Sequence, residues 1–498
     1  MKKIKIIVSI AFIISAATAC KKFVDYDPHE DYITTTADYF KSASDYQSLV
    51  VGCYTPLQWI WADVMIGDIA TDNAVSGGEN ATDVLGLQQI DDYTIVSNNS
   101  YLTETWKSCF EGINRVNYLQ ENKGLLNFTG KDALYGEVYF LRAYYYFELV
   151  KLFGDVPLFV DHRLTVTDSK TLSRTAKADV YKQIELDLAN AIAVLPTTNA
   201  EKGRVTKNAA YALLGKVYLY ENKFDAAAAA LENVINSGTL SLLPNFQDIF
   251  LQAGENGPES VFEIQYTNLS NQHDYGTINF NRSQGNIAVQ YHGVRSISGS
   301  SPYAEGYSCN LPTQELAKQY TTGDKRKDAT ILDIEAYKKA NPSFNITYTV
   351  APYKNTGLYN NKYQPRQGES SSAGVAALNY LTNFRTIRYA DVLLMAAEAN
   401  NRATAANDTK ALTYLNLVRR RAFGDVNHDV TATGATLKQA IWDERRLELA
   451  MEGDRFFDLV RTGQAAAKIT NFKVGTNEVF PIPQQEIDNS GLSQNHGY

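Results

Sequence analysis

The 498-residue chain is long enough for one large domain or two to three average ones, and its composition of 44% hydrophobic and 20% charged residues is that of a folded globular protein. Its 47 Lys and Arg stand against 55 Asp and Glu, a net charge of −8. That balance excludes a nucleic-acid partner, because phosphate recognition needs a concentrated basic face.

Lys2, Lys3 and Lys5 precede an apolar run from Ile6 to Ile14, and small residues follow as far as Cys20. This order reads as a secretory signal over residues 1–19, too short to cross a membrane. The ending "SAATAC" resembles the bacterial lipoprotein signal, with Ala17 where Leu is usual. The resemblance implies lipidation of Cys20, with "KKFVDYDPHED" behind it as a polar tether. Cys53, Cys109 and Cys309 remain in the mature chain. An odd, sparse set without C-x-x-C indicates neither a disulfide framework nor a thiolate zinc site.

Further along, Trp59 and Trp61 in "PLQWIWADVM" are two residues apart and cannot share one helix face, so one is assigned to the core and the other to the border of a pocket. "LYGEVYFLRAYYYFELVKLFG" (134–154) predicts a strong helix ended by Gly154 and Pro157, with 177–195 as its partner. In 206–237, Tyr211, Leu214, Gly215 and Tyr218, then Ala227 and Leu231, match a tetratricopeptide helix pair. Segments 388–401 and 409–422 form a weaker pair. The fold class is therefore mainly α, a tetratricopeptide-like helical superhelix with helical repeats over about 36–237 and 382–465. Residues from about 240 to 381 are rich in Gly, Ser, Asn and Pro and form a loop-rich, irregular part, with strands only in pieces such as "SVFEIQY" (260–266).

The run "WDERRLELAMEGDRFFDLVR" (442–461) places Glu444, Glu448 and Glu452 four residues apart. The pattern predicts one helix over 436–452 whose charges share stripes with its apolar residues. Charges interleaved with core positions must be paired to be tolerated. Arg445 lies three residues before Glu448 and Arg455 three after Glu452, which offers local partners. A catalytic acid and base would instead converge on a pocket from different elements. The glutamates are read as structural, and no catalytic residue is assigned. The sequence has no H-E-x-x-H, no G-x-S-x-G and no phosphate-binding glycine loop, and "DVNHD" (425–429) lacks the Gly of a calcium loop. No metal or cofactor is called for, and "DVNHD" is read as an inter-helix turn.

This signature, together with "RYADVLLMAAEA", "LNLVRRRA", "LRAYYYFELVKLFGDVPLF" and the ending "FPIPQQEIDNSGLSQNHGY", resembles the SusD/RagB family in order and spacing across residues 20–498. The resemblance implies a non-enzymatic, surface-exposed lipoprotein of the bacterial outer membrane. It implies capture of a glycan for import through a SusC-like TonB-dependent porin.

A sugar site needs an aromatic platform flanked by carboxylates and amides. The loop "GDIATDNAVSGGENATD" (67–83) offers Asp72, Asn73, Glu79 and Asn80, residues that equally build tight turns. By resemblance, the ligand-binding aromatics fall at Tyr275 and Tyr307. Where glycan-binding relatives carry a Trp after Thr-Asp, this chain reads "AVSGG", so a starch-type stacking wall is missing or supplied elsewhere. The sequence leaves two other functions open: the same fold capturing peptide or another nutrient, and a secreted glycosidase.

Overall fold

A computed structural model of the chain describes residues 39–165, 167–269 and 283–498. The readings placed on residues 1–19, Cys20 and Tyr275 lie outside the described residues. The fold is mainly helical, with three two-stranded antiparallel pairs among the described residues.

Local signals set the helices. Asn99 caps the Ser100–Glu121 helix by accepting from the backbone N–H groups of Tyr101 and Leu102. The Lys131–Phe153 helix stops at Gly154, whose φ of 73° suits glycine. It is apolar nearly all round because it packs between Ser100–Glu121 and Lys177–Val194. Lys207–Tyr220 and Phe224–Asn236 form the next pair, and Gly215 sets how closely they approach. A Cβ there would lie 2.5 Å from Leu231 Cγ. Phe224–Asn236 then packs directly on Tyr389–Arg402, which packs on Asp408–Phe423. The helical stack thus continues across the intervening chain. That chain holds short helices, the Ser260–Ile264/Phe384–Arg388 and Ile331–Asp333/Leu358–Asn360 strand pairs, and a small core of its own around Val294, Tyr303, Ile334 and Tyr359.

The signature run corrects two expectations. Its helix spans Gly434–Glu448 and does not continue to 452. Met451 (φ 65°) and Gly453 (φ 89°) turn the chain before a second helix, Arg455–Arg461. The turn packs closely on the Ala62–Ile69 helix: a Cβ on Gly67 would lie 1.8 Å from the carbonyl oxygen of Gly453. The charge partners are also not local. Glu448 is fully buried and meets Arg421 at 2.5 Å, Arg388 at 3.0 Å and Arg326 at 3.1 Å. Glu452 takes Lys362 at 2.6 Å and Arg388 at 2.7 Å, and Glu444 takes Arg326 at 2.7 Å and Arg419. Arg445 serves Asp391 and Asp458, and Arg455 serves Asp72. Burial alone would raise the Glu448 carboxyl, but Arg421, Arg388 and Arg326 outweigh it and hold it well below the usual carboxylate range.

Cys53, Cys109 and Cys309 are buried free thiols, and burial pushes Cys53 up to about 12. At that value the thiol is protonated and unreactive at neutral pH.

Candidate functional site

The 67–83 loop folds by the chemistry its residues offer. Asn80 Oδ1 accepts from the backbone N–H and hydroxyl of Thr82 and from the N–H of Asp83, the turn pattern of a short amide side chain. Asp83 Oδ2 accepts from the N–H of Glu79 at 2.8 Å, and Gly78 adopts a φ of 113°. Ala74–Val75 pairs antiparallel with Leu311–Pro312, and the N–H of Gly78 donates to the carbonyl of Ser308 at 2.8 Å. The 67–83 loop and the 300–312 segment that carries Tyr307 are therefore in contact.

The second segment is fixed from below. The N–H groups of Tyr307, Ser308 and Cys309 donate to the carbonyls of Gln290, Gly293 and Tyr291 at 2.7–2.9 Å, which ties the turn to the Ile287–His292 helix. Half-buried Tyr307 meets Tyr291 edge-on at a ring-centroid distance of 5.7 Å. Tyr291 lies 5.0 Å from Trp61, and Trp61 lies 5.9 Å from Tyr101. Four rings from four segments thus pack in a row, the buried Tyr291 and Trp61 lying between the half-buried Tyr101 and Tyr307. Burial raises the Tyr101 and Tyr291 phenols, so both stay protonated at neutral pH.

Arg295 joins the two segments. Its guanidinium donates to the Tyr307 carbonyl at 2.8 Å and to Asp83 Oδ2 at 3.2 Å, approaches Glu79 to 3.8 Å, and lies 5.9 Å from the Tyr307 ring centroid. Glu79 and Asn80 face solvent. Asp72 and Asn73 do not belong to this rim, which corrects the sequence reading. Arg455 holds both oxygens of Asp72 at 2.9 Å, and Asn73 is fully buried with its oxygen on Arg446 Nε at 2.9 Å. They pin the loop to the signature segment.

Trp61 and Trp59 are both buried, Trp61 in the main hydrophobic core and Trp59 under Arg115. Sequence reasoning missed Arg295, Asp83, Tyr101 and Tyr291. Asp83 carried a signal, four residues after Glu79 in a Gly-Asn loop; the other three carried none. A concavity beneath Trp61, lined by Asp63, Glu148, Lys151, Lys216 and Asp454, has about 50 Å³ of free space, room for a few waters but not for a sugar ring. Among the described residues no three His, Cys, Asp or Glu side chains are grouped as metal ligands would be.

Comparison with known proteins places this geometry. The family described as "SusD family" matches residues 258–498, and "Starch-binding associating with outer membrane" matches residues 22–219. SusD-like protein P2 of Formosa agariphila is 27% identical over 499 residues, covering 94% of this chain and 95% of the relative. A solved laminarin-binding SusD-like protein is 33% identical with a TM-score of 0.82, covering 92% of this chain and all of that one. Surface glycan-binding protein A of Bacteroides thetaiotaomicron, solved in complex with laminarihexaose, is 26% identical with a TM-score of 0.78, covering 91% of this chain and 99% of that one. The relatives' matches span more than nine-tenths of the chain, helical stack and loop-rich part alike, and the chain belongs to the SusD family.

Proposed function

We propose that the chain captures an oligosaccharide at the cell surface, on the face formed by Tyr307 and the 79–83 loop, and passes it to a SusC-like TonB-dependent porin in the outer membrane. The observation that carries this reading is half-buried Tyr307, its ring against Tyr291, with Arg295 linking its carbonyl to Asp83 and to the exposed Glu79 carboxylate of the 79–83 loop. A sugar ring needs that combination of an apolar face and surrounding acceptors. The laminarin-binding relatives favour a laminarin-type glucan as the first ligand to try. The reading is one of binding, as the glycan-binding relatives favour, and the signature glutamates Glu444, Glu448 and Glu452 are buried and committed to cations. Calorimetric titration of the mature chain with laminarihexaose tests the reading, with saturable binding expected.

The same reading includes a signal peptide at 1–19, a lipid on Cys20 and a surface-exposed body made of helical repeats (about 36–237 and 382–465) and a loop-rich ligand side (about 240–381). It keeps Tyr275 as a second ligand aromatic. Cys20→Ala should move the protein from the membrane fraction to the soluble fraction. Retention on the membrane after a salt wash would remove the anchor from the proposal.

A further inference from the structure

We infer that Glu79 and Asp83, set against Arg295, make the Tyr307 face selective for neutral saccharides over those bearing carboxylate or sulfate groups. This rests on the reading of that face as a glycan site and adds the charge class of the ligand. An arginine beside an aromatic platform would ordinarily suit an anionic sugar, since its fork matches a carboxylate or sulfate in two bonds. Here one arm of the fork is committed, and the Nε is buried out of a ligand's reach. One guanidinium nitrogen is shared between the Tyr307 carbonyl at 2.8 Å and Asp83 Oδ2 at 3.2 Å, and the other terminal nitrogen faces Glu79 at 3.8 Å. The backbone holds it there too: the Arg295 N–H donates to Ser308 Oγ at 3.1 Å, and its carbonyl accepts from the Thr349 N–H at 3.0 Å.

Two carboxylates against one guanidinium leave the group with a net negative charge, and exposure decides which sign a ligand meets. The Arg295 side chain is 17% exposed, Asp83 33% and Glu79 72%. A ligand settling on Tyr307 therefore approaches carboxylate before guanidinium. Glu305, exposed two residues before Tyr307, adds charge of the same sign to the turn. Lys354, adjacent to the Tyr353 whose N–H donates to the Gly78 carbonyl, does not compensate, because it is engaged by Asp91 at 2.7 Å and Asp92 at 2.6 Å. Hydroxyl groups of a neutral sugar find acceptors at this rim. A uronate or sulfate finds repulsion that no cation among the described residues relieves.

The test uses calorimetric titration of wild type, Glu79→Gln, and the Glu79→Gln/Asp83→Asn double variant. The probes are laminarihexaose, maltohexaose and hexagalacturonate, at low and high ionic strength. Wild type is expected to bind a neutral hexasaccharide and to discriminate against hexagalacturonate. Glu79→Gln should lower the neutral-to-uronate affinity ratio, and the double variant should lower it by about tenfold at low salt, with much of that change erased at high salt. Loss of a hydroxyl acceptor alone would weaken neutral binding without creating a salt-sensitive affinity for the uronate. A ratio that stays constant across all three proteins, or wild type that prefers hexagalacturonate, overturns the inference while the glycan site stands. Wild type that binds none of the probes removes the glycan reading, and the charge selectivity falls with it.

Discussion

The signature segment and the rim around Tyr307 are built from the same residue types, arginine against glutamate and aspartate, but water reaches only one of them. Arg326 and Glu448 are 0% exposed, and each has several charged partners. The rim charges around Arg295 lie at the surface with longer contacts. Desolvation makes the first set interdependent, because removing one member strands another in a medium that cannot solvate it. In the second set, solvent replaces a lost partner at little cost. The same chemistry is therefore structural in one place and open to a ligand in the other, and the two regions should respond oppositely to substitution.

The largest effect should come from the buried network. Glu448→Ala leaves Arg326, Arg388 and Arg421 short of a carboxylate at a site without water, which costs about 3–5 kcal/mol. Urea denaturation should show that loss as a lower midpoint. A stability unchanged by the substitution, with ligand binding abolished, would place Glu448 in the functional site and erase the contrast.

Acid should expose the same difference. Burial would raise the Glu398 carboxyl, but Arg461 outweighs it through two contacts of 2.8–2.9 Å and holds it down to about 2. A depressed carboxyl contributes stability that is present above its unfolded value near 4.5 and is lost as pH falls through the folded one. Melting temperature should therefore drop between about pH 4.5 and pH 2, over which this group alone accounts for roughly 3 kcal/mol. Glu398→Gln should lower stability at neutral pH and flatten that slope. An equally steep acid transition in the variant would assign the effect to other carboxylates.

How much of this was legible follows from how far apart in sequence the determinants lie. The helix pairs were legible because apolar spacing, Gly154 and the small residues at 215 and 227 act locally. That the signature glutamates must be paired followed from their place among core residues. Their partners did not, because Arg326, Arg388, Arg421 and Lys362 come from segments brought together only by the fold. The break after Glu448 was masked by the unbroken four-residue spacing to Glu452, although Gly453 marked it. At the candidate site, turn chemistry points to Glu79 and family resemblance to Tyr307. Asp72 and Asn73 misled, since a polar loop residue gives no sign of an arginine waiting beneath it. Arg295 and the rings of Trp61, Tyr101 and Tyr291 meet only through tertiary contacts.

An intermediate effect, on binding rather than on stability, is expected at Tyr307. The ring is half-buried and meets Tyr291 edge-on. Tyr307→Ala should weaken glycan binding by about 1–3 kcal/mol, the scale of covering one large side chain. Tyr307→Phe should retain most of the affinity, because a stacking platform needs the ring and not the hydroxyl. Calorimetry with laminarihexaose checks both. Equal affinity of the Ala variant and wild type would move the site away from this turn.

The smallest effect should be that of Glu79→Gln on stability. Its carboxylate reaches Arg295 only at 3.8 Å from a largely solvent-exposed position, and the loop is shaped by other bonds, those of Asn80 with Thr82 and Asp83 and that of Asp83 Oδ2 with the Glu79 N–H. The backbone N–H of residue 79 survives the substitution, so the turn keeps its geometry. Arg295 keeps Asp83 and the Tyr307 carbonyl as partners. The change in unfolding free energy should stay within about 0.5 kcal/mol, close to the resolution of thermal or urea melts. Set beside Glu448→Ala, the same residue type would then differ about tenfold in structural weight according to whether water reaches it. A loss of several kcal/mol at Glu79 would mean that the rim is braced like the signature segment, and that its charges hold the loop in place rather than face a ligand.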